Sequence, residues 1–130
     1  MTIVYLSVEQ VLAFHEALVG QFGGASGVRD RGALESAVAR PAMTFGGEDL
    51  YGDLASKGAA LMHSLVLNHP FVDGNKRVGV ATAEFFLERN ASTLEASDEE
   101  LERLTLAVAE GKVAIEALTI WFRQRLRAAE

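Results

Sequence analysis

The sequence predicts an all-α fold: a compact, irregular bundle of about six helices in a single domain over residues 1–130, with room for a minimal extended flap. Three observations predict it. Apolar residues recur at helical spacing in most segments, capping residues stand in front of those segments, and no two segments read as a pair of strands. With 49% apolar residues, a chain of 130 residues can bury one core and has little room for a second.

Capping residues and helix breakers bound the first two predicted helices. Ser7, with Gln10 three residues later, forms a capping box that starts the first helix, and the glycine pair at 23–24 ends it. Asp30 caps a shorter helix that runs to about Arg40, where a proline follows. The expected inward stripe of the first helix comprises Val8, Val11, Leu12, Leu18, Val19 and Phe22.

A loop and a central helix come next. Residues 42–52 contain three glycines and no clear period, which predicts a loop with short extended pieces. Asp53 caps a helix that continues to Asn68. Its small residues predict close approach to a neighbouring helix and burial on most sides; they are Ala55, Gly58, Ala59 and Ala60.

The second half of the chain predicts three more helices. One spans about residues 75–90, with an inward face of Val78, Ala81, Phe85 and Phe86, and an extended piece follows at 91–96. Ser97, with a glutamate at the capping-box position, starts the next helix, and Gly111 ends it. The last helix spans about residues 113–126 and is expected to bury Ile115, Leu118, Trp121 and Phe122.

Composition and charge exclude several classes of protein. The chain has no cysteine, so disulfides, thiolate metal sites and a cysteine nucleophile are impossible. A net charge of −6 disfavours direct binding to nucleic acid and therefore a DNA-binding regulator, the weakest of the alternatives. The chain begins without a basic region or a long apolar stretch, and it contains no apolar run of about 20 residues. We therefore expect a cytoplasmic protein that does not enter a membrane.

The segment at residues 69–77, between the third and fourth predicted helices, combines groups that suit transfer chemistry. His69 stands where the helix ends, and Pro70 makes that end abrupt. Phe71 is apolar and can anchor the segment in the core, whereas Gly74 permits close approach of the backbone to a ligand.

The next helix begins with two cations, Lys76 and Arg77. A helix N-terminus already favours anions through its free N–H groups and its dipole, so cations in the first turn oppose the dipole. A bound polyphosphate would reverse that cost. This placement predicts an anion site.

The remaining polar groups of the segment complete a possible transfer site. Histidine is the usual base for activating a hydroxyl near neutral pH, which makes His69 the candidate catalytic residue. The carboxylate of Asp73 is a suitable ligand for Mg²⁺ shared with nucleotide phosphates. The alternative for His69 alone is a capping histidine at the end of a helix.

The nine residues His-Pro-Phe-Val-Asp-Gly-Asn-Lys-Arg resemble the Fic motif, written His-x-Phe-x-Asp/Glu-Gly-Asn-Gly-Arg. They match still better the death-on-curing (Doc) branch of the Fic/Doc family, in which lysine replaces the second glycine. The chain length, the order of helices and the stretch at residues 23–40 resemble the same branch.

This resemblance implies a role for each residue of the motif. His69 would be the general base that deprotonates a serine or threonine hydroxyl of the target protein, and Asp73 would bind Mg²⁺. The backbone N–H groups of Gly74, Asn75 and Lys76 would cradle the phosphates of ATP or another nucleoside triphosphate. The side chains of Asn75 and Arg77 would hold phosphates, and Phe71 would be the structural anchor.

Two positions bear on which group is transferred. Lys76 replaces the glycine found in AMP-transferring Fic enzymes, and Val80 stands where those enzymes often carry a second arginine. Both differences favour the reversed nucleotide orientation of Doc-like proteins, in which the γ-phosphate is transferred and the protein acts as a kinase. AMP transfer and a non-catalytic binding module of the same fold are the alternatives.

The resemblance also implies partners: elongation factor Tu as the target, with translation arrest as the outcome, and an antitoxin. Many Fic enzymes carry an inhibitory helix with the pattern Ser/Thr-x-x-x-Glu-Gly/Asn. The nearest match here, Thr44 to Glu48, lies in a glycine-rich stretch and is followed by Asp49. We therefore expect a second chain, an antitoxin of the Phd type, to supply the inhibitory segment.

The loop before the third predicted helix is assigned to target docking through Thr44, Phe45 and Tyr51, because Fic proteins place a substrate-holding flap there. A simple connector is the alternative. The two other histidines, His15 and His63, are expected to be structural, since each lies on a helix among apolar residues.

Overall fold

The computed structural model describes residues 2–129 and contains six α-helices and four short strands within that range. The helices are α1 (Val8–Phe22), α2 (Arg31–Ala39), α3 (Leu54–Asn68), α4 (Asn75–Arg89), α5 (Asp98–Ala109) and α6 (Ile115–Arg125). A 3-10 turn, Arg40–Ala42, follows α2. The predicted all-α class and the number of helices are confirmed.

The helices begin where side chains satisfy their first N–H groups. Ser7 and Ser97 each form a capping box, with Gln10 and Glu100 respectively, and Asp30 caps α2. Asp53 caps α3 and also accepts two hydrogen bonds from Arg123 of α6, at 2.8 and 3.2 Å. The bonds from Arg123 hold the pKa of Asp53 well below its usual value of 3.8.

The strands form two small antiparallel sheets, which the sequence did not predict as pairs. β1 (Thr44–Phe45) pairs with β2 (Glu48–Asp49) in a hairpin within the predicted loop. β3 (Ser92–Leu94) pairs with β4 (Leu126–Ala128), with Leu94 opposite Leu126. The last helix therefore ends at Arg125, because the residues after it leave the helix to pair with β3.

The core surrounds α3. Eleven of the fifteen residues of α3 are buried, as its run of small residues predicts. A Cβ atom added to Gly58 would lie 3.2 Å from Leu87 of α4 and 3.3 Å from Phe122 of α6. At Gly79 of α4, an added Cβ would lie 2.5 Å from Val66. Glycine at these positions lets α4 and α6 pack directly against α3.

The predicted inward stripe of α1 is only partly correct. Val11 is fully buried, but Phe22, at the end of the stripe, is 54% exposed. The guanidinium of Arg77 lies 4.3 Å from the centre of the Phe22 ring, so this aromatic side chain contacts the start of α4 instead of the core.

Candidate functional site

The turn that joins α3 to α4 carries the predicted site. His69 is the first residue after α3 and is exposed, with a left-handed backbone (φ 47°, ψ 57°). Gly74, immediately before α4, is also left-handed, with φ 78°. Left-handed residues at both ends allow residues 70–73 to cross from one helix to the next in a short space.

A strap formed by residues 27–30 runs antiparallel beside this turn. Val28 and Phe71 form an isolated β-bridge, and the Val72 N–H donates to the Gly27 carbonyl at 3.1 Å. The Pro70 carbonyl accepts hydrogen bonds from the N–H groups of Arg29 (2.8 Å) and Asp30 (3.0 Å). The backbone of the turn is therefore fixed by a segment some 40 residues earlier in the chain.

Phe71 anchors the turn in the core. Its side chain is 1% exposed and stacks on His15 of α1, with ring centres 3.9 Å apart and an interplanar angle of 9°. His15 Nε2 lies 2.7 Å from the Asp73 carbonyl oxygen and donates a hydrogen bond to it. His15 is thus a buried structural histidine, as predicted, and what it supports is the turn itself. His63 lies away from the turn and bonds a different loop, with its Nε2 3.2 Å from the Val113 carbonyl oxygen.

Asn75 uses its side chain to hold the turn. Its Oδ1 accepts from the Phe71 N–H at 2.9 Å, and its Nδ2 donates to the Phe71 carbonyl at 3.0 Å. Both polar groups of this buried amide bond to Phe71. A phosphate contact by the Asn75 side chain stays a prediction: the second hydrogen of its Nδ2 and its backbone N–H are the groups that could make one.

The carboxylate of Asp73 lies against the loop that follows α1. Its Oδ2 accepts from the Ala25 N–H at 3.2 Å, and its Oδ1 accepts from the Gly74 N–H at 2.9 Å. A Cβ atom at Gly24 would lie 2.8 Å from Oδ2, so glycine is required there for the carboxylate to keep this position. Each oxygen retains a further lone pair, which fits a role as a single carboxylate ligand to a magnesium ion shared with phosphates.

The first turn of α4 faces a cavity. The first helical hydrogen bond of α4 runs from the Val78 N–H to the Gly74 carbonyl, so the N–H groups of Asn75, Lys76 and Arg77 precede the helix's own bonding pattern. The Gly74 N–H is already bonded to Asp73. Unpaired amides of this kind, next to two exposed cationic side chains, favour an anion.

The cavity has a volume of about 580 Å³, within the range of small-molecule sites. Its walls are residues 73–77 with Val80, Glu84, Asp98, Leu101, Glu102, Thr105 and Leu106. The end formed by α4 is cationic, whereas the α5 side is acidic and apolar. Burial, and then the neighbouring Glu88 and Asp98, raise the pKa of Glu84. Among the described residues that line this cavity, His69 is absent. It lies at the opposite end of the same turn.

The predicted docking residues fall into two groups. Thr44 and Phe45 form β1, both are exposed, and Phe45 is 82% exposed. Tyr51 lies at the base of the hairpin, where its hydroxyl accepts a hydrogen bond from Arg40 Nε at 2.7 Å. Tyr51 therefore supports the hairpin, because its polar group is engaged within the protein.

Lys57 supports the same hairpin, and sequence reasoning missed it. Its ammonium group is buried and donates to the Tyr51 carbonyl (2.6 Å), the Asp49 carboxylate (3.0 Å) and the Pro41 carbonyl (3.2 Å). Burial alone would lower the pKa of Lys57, but its hydrogen bond to Asp49 and the neighbouring Tyr5 outweigh burial and raise it. A lysine within a run of small helical residues was the available signal.

The helical bundle, with the motif of residues 69–77 in the turn between α3 and α4, is the arrangement expected of a Fic/Doc protein. A model of the Fic/Doc family matches residues 5–87, well over half of the chain, and the chain belongs to that family. The matched range includes every residue of the turn at 69–77 and the hairpin before α3.

Two curated proteins are similar to this chain. Toxin Doc of Mycolicibacterium smegmatis is 50% identical over 82 residues, which cover 63% of this chain and 62% of that protein. The protein kinase doc of Escherichia phage P1 is 29% identical over 126 residues, covering 97% of this chain and 98% of the phage protein. The match to the mycobacterial toxin thus spans less than two thirds of its length.

Two negative findings apply to residues 2–129. No helix in this range combines the length and apolarity needed to cross a membrane. The same residues contain no group of three or more histidine, cysteine or acidic side chains arranged to hold a metal ion.

Proposed function

We propose that the chain is the toxin of a toxin–antitoxin pair and transfers the γ-phosphate of ATP to a serine or threonine hydroxyl of a protein target. The observation that carries the proposal is the turn at residues 69–77. It places an exposed imidazole at one end and a cationic helix start, open to a cavity of about 580 Å³, at the other. The names of the two relatives, a toxin and a protein kinase, support the same activity.

The transfer step assigns one task to each end of the turn. The His69 imidazole accepts the proton of the target hydroxyl as the hydroxyl oxygen bonds to the γ-phosphorus. The bond from the γ-phosphorus to the oxygen that bridges the β- and γ-phosphates breaks, and ADP leaves. The side chains of Lys76 and Arg77 and the first N–H groups of α4 stabilise the charge that develops on the phosphate oxygens.

Asp73 would hold Mg²⁺, which when bound neutralises phosphate charge and fixes the orientation of the phosphates. The geometry of the carboxylate fits this role, because Ala25 and Gly74 orient both oxygens without using all of their lone pairs. The hydrogen bond from His15 to the Asp73 carbonyl fixes the backbone at the same residue.

Two positions favour phosphate transfer over AMP transfer. Lys76 adds a side chain and a charge where a glycine would leave space for inner phosphates. Val80, which lines the cavity one turn further along α4, provides no cation for a second phosphate contact. AMP transfer is the second candidate reaction.

By the resemblance to the Doc branch, we propose elongation factor Tu as the target and translation arrest as the outcome.

The proposed inhibitor is an antitoxin of the Phd type that contributes a segment in trans. The nearest match to an inhibitory motif in this chain, Thr44 to Glu48, forms part of the β1–β2 hairpin and is not helical. This supports an inhibitor outside the chain. The isolated chain should be active as purified; activity that appeared only after deletion of one of its own segments would contradict the proposal.

The activity is tested with purified chain, Mg²⁺, elongation factor Tu and ATP labelled at either the α- or the γ-phosphate. We expect γ-label on the target and no α-label; α-label alone would identify AMP transfer and refute the kinase proposal. His69→Ala should lower the rate by about 10²- to 10⁴-fold. His63→Gln, a change at the structural histidine of α3, is the matched control and should remain active.

A further inference from the structure

Arg29 makes two hydrogen bonds to the end of α3. Its Nε donates to the His69 carbonyl at 2.6 Å, and its Nη2 donates to the Asn68 carbonyl at 2.9 Å. The last carbonyls of a helix have no partner within the helix, and a positive charge near them is favourable. The last turn of α3 contains no basic residue. Arg29, 40 residues earlier in the chain, provides both the donors and the charge.

The residue held in this way has an unusual backbone. His69 and Ala91 are the two residues other than glycine with positive φ among residues 2–129. A left-handed conformation costs a residue with a side chain about 1 kcal/mol or more, and it persists where the surroundings enforce it. The guanidinium bonds the carbonyl of His69 itself, so it acts on the peptide unit that defines this conformation.

The backbone of the strap makes the contact rigid. The N–H groups of Arg29 and Asp30 both donate to the Pro70 carbonyl, so the main chain at 29–30 is fixed one residue beyond His69. The side chain of Arg29 then reaches back to residues 68 and 69. Carbonyls on three successive residues, 68 to 70, are therefore bound by one segment of the chain.

We propose that Arg29 is a positioning residue for His69: it holds the left-handed turn that sets the direction of the imidazole. The catalytic meaning of this placement rests on the proposed function, whereas the effect on the conformation of His69 does not. Arg29 acts through the backbone, and among the described residues it is not one that lines the cavity at the start of α4.

The kinetic test compares Arg29→Gln with Arg31→Gln. Arg31, two residues further on, is exposed and pairs with Glu35 at 3.6 Å, so it is a matched arginine without contact to the turn. We expect Arg29→Gln to lower kcat for phosphate transfer by about 10- to 100-fold, because small misplacements of a catalytic group have effects of this size. KM for ATP should stay within about twofold, since Lys76 and Arg77 are untouched. Arg29→Lys should recover part of the loss, because an ammonium can still donate to one carbonyl.

A second measurement does not depend on activity. The ¹³Cα and ¹³Cβ chemical shifts of His69, measured by NMR on the folded variants, report its backbone conformation. Arg29→Gln should move them away from the wild-type values, and Arg31→Gln should leave them unchanged. If the wild-type chain transfers no phosphate, the proposed function fails, and these shifts still decide the role of Arg29.

The opposing outcomes are distinct. A purely stabilising Arg29 would lower Tm but leave the His69 shifts and the kcat of the folded variant at wild-type values, which overturns the proposal. A rise in KM for ATP with unchanged kcat would also overturn it, because it would place Arg29 in nucleotide binding.

Discussion

The turn at residues 69–77 and the hairpin at residues 43–51 flank α3 and are held in different ways. Bonds from several elements fix the turn along its length: the strap at 27–30, His15 of α1 and its own Asn75. The hairpin is fixed at its base by Lys57 and Arg40, whereas Phe45 in β1 is 82% exposed. The backbone that carries the proposed chemical groups is therefore fixed along its length, whereas the proposed docking surface is anchored at one end only.

The largest expected effect comes from loosening the turn. Asn75→Ala should lower the free energy of unfolding by about 2–4 kcal/mol, because the N–H and C=O of buried Phe71 both lose their partner. Urea denaturation measures the change. Asn75→Asp keeps the acceptor for the Phe71 N–H but places a buried carboxylate oxygen against the Phe71 carbonyl, so it should also be destabilising. Equal stability of Asn75→Ala and wild type would show that the turn does not depend on this amide.

A smaller effect is expected at the base of the hairpin. Lys57→Met should lower the free energy of unfolding by about 1–2 kcal/mol, since three oxygen atoms lose their donor while the methionine fills most of the space. Amide hydrogen exchange should become faster in the hairpin and stay unchanged in the turn.

Lys112→Met is the matched control for Lys57→Met. Lys112 forms an exposed ion pair with Glu110 at 3.2 Å, and its removal should cost less than about 0.5 kcal/mol. Faster exchange in both the hairpin and the turn of Lys57→Met would mean that the two regions are coupled, against the comparison above.

The smallest effect on stability is expected at the exposed end. Phe45→Ser should change the free energy of unfolding by less than about 0.5 kcal/mol, because the ring is mostly in solvent. If the hairpin binds the target, KM for the protein target should rise by about tenfold with kcat unchanged. Ile120→Ser, at an apolar residue of α6 that is 53% exposed, is the control. An unchanged KM would reduce the hairpin to a connector.

Local signals predicted most of the fold. Each capping residue acts within three or four residues of the helix it starts, and the four side-chain caps at Ser7, Asp30, Asp53 and Ser97 are all present. β4 could not be predicted in this way. Its residues continue a helical pattern, and they leave the helix because a distant partner, residues 92–94, offers backbone hydrogen bonds.

The candidate site shows the same contrast between local signals and distant partners. The identities of His69, Asp73, Lys76 and Arg77 could be read from one continuous motif. The hydrogen bonds that Asn75 and Arg29 make to the turn could not be predicted from the sequence, because only the folded chain brings their partners near. For Phe22 a helical period placed the side chain inward, whereas a contact with Arg77 places it on the surface.

The stacking of His15 on Phe71 has a consequence for how the chain acquires its shape. This contact and the bond from His15 to Asp73 join residues more than 50 positions apart, so they form only after much of the chain has been brought together. The turn thus keeps this form only while α1 and the connection from α3 to α4 are packed together. Slow amide exchange at Phe71 and Val72 should then require global unfolding, and an incompletely folded chain carries no assembled centre.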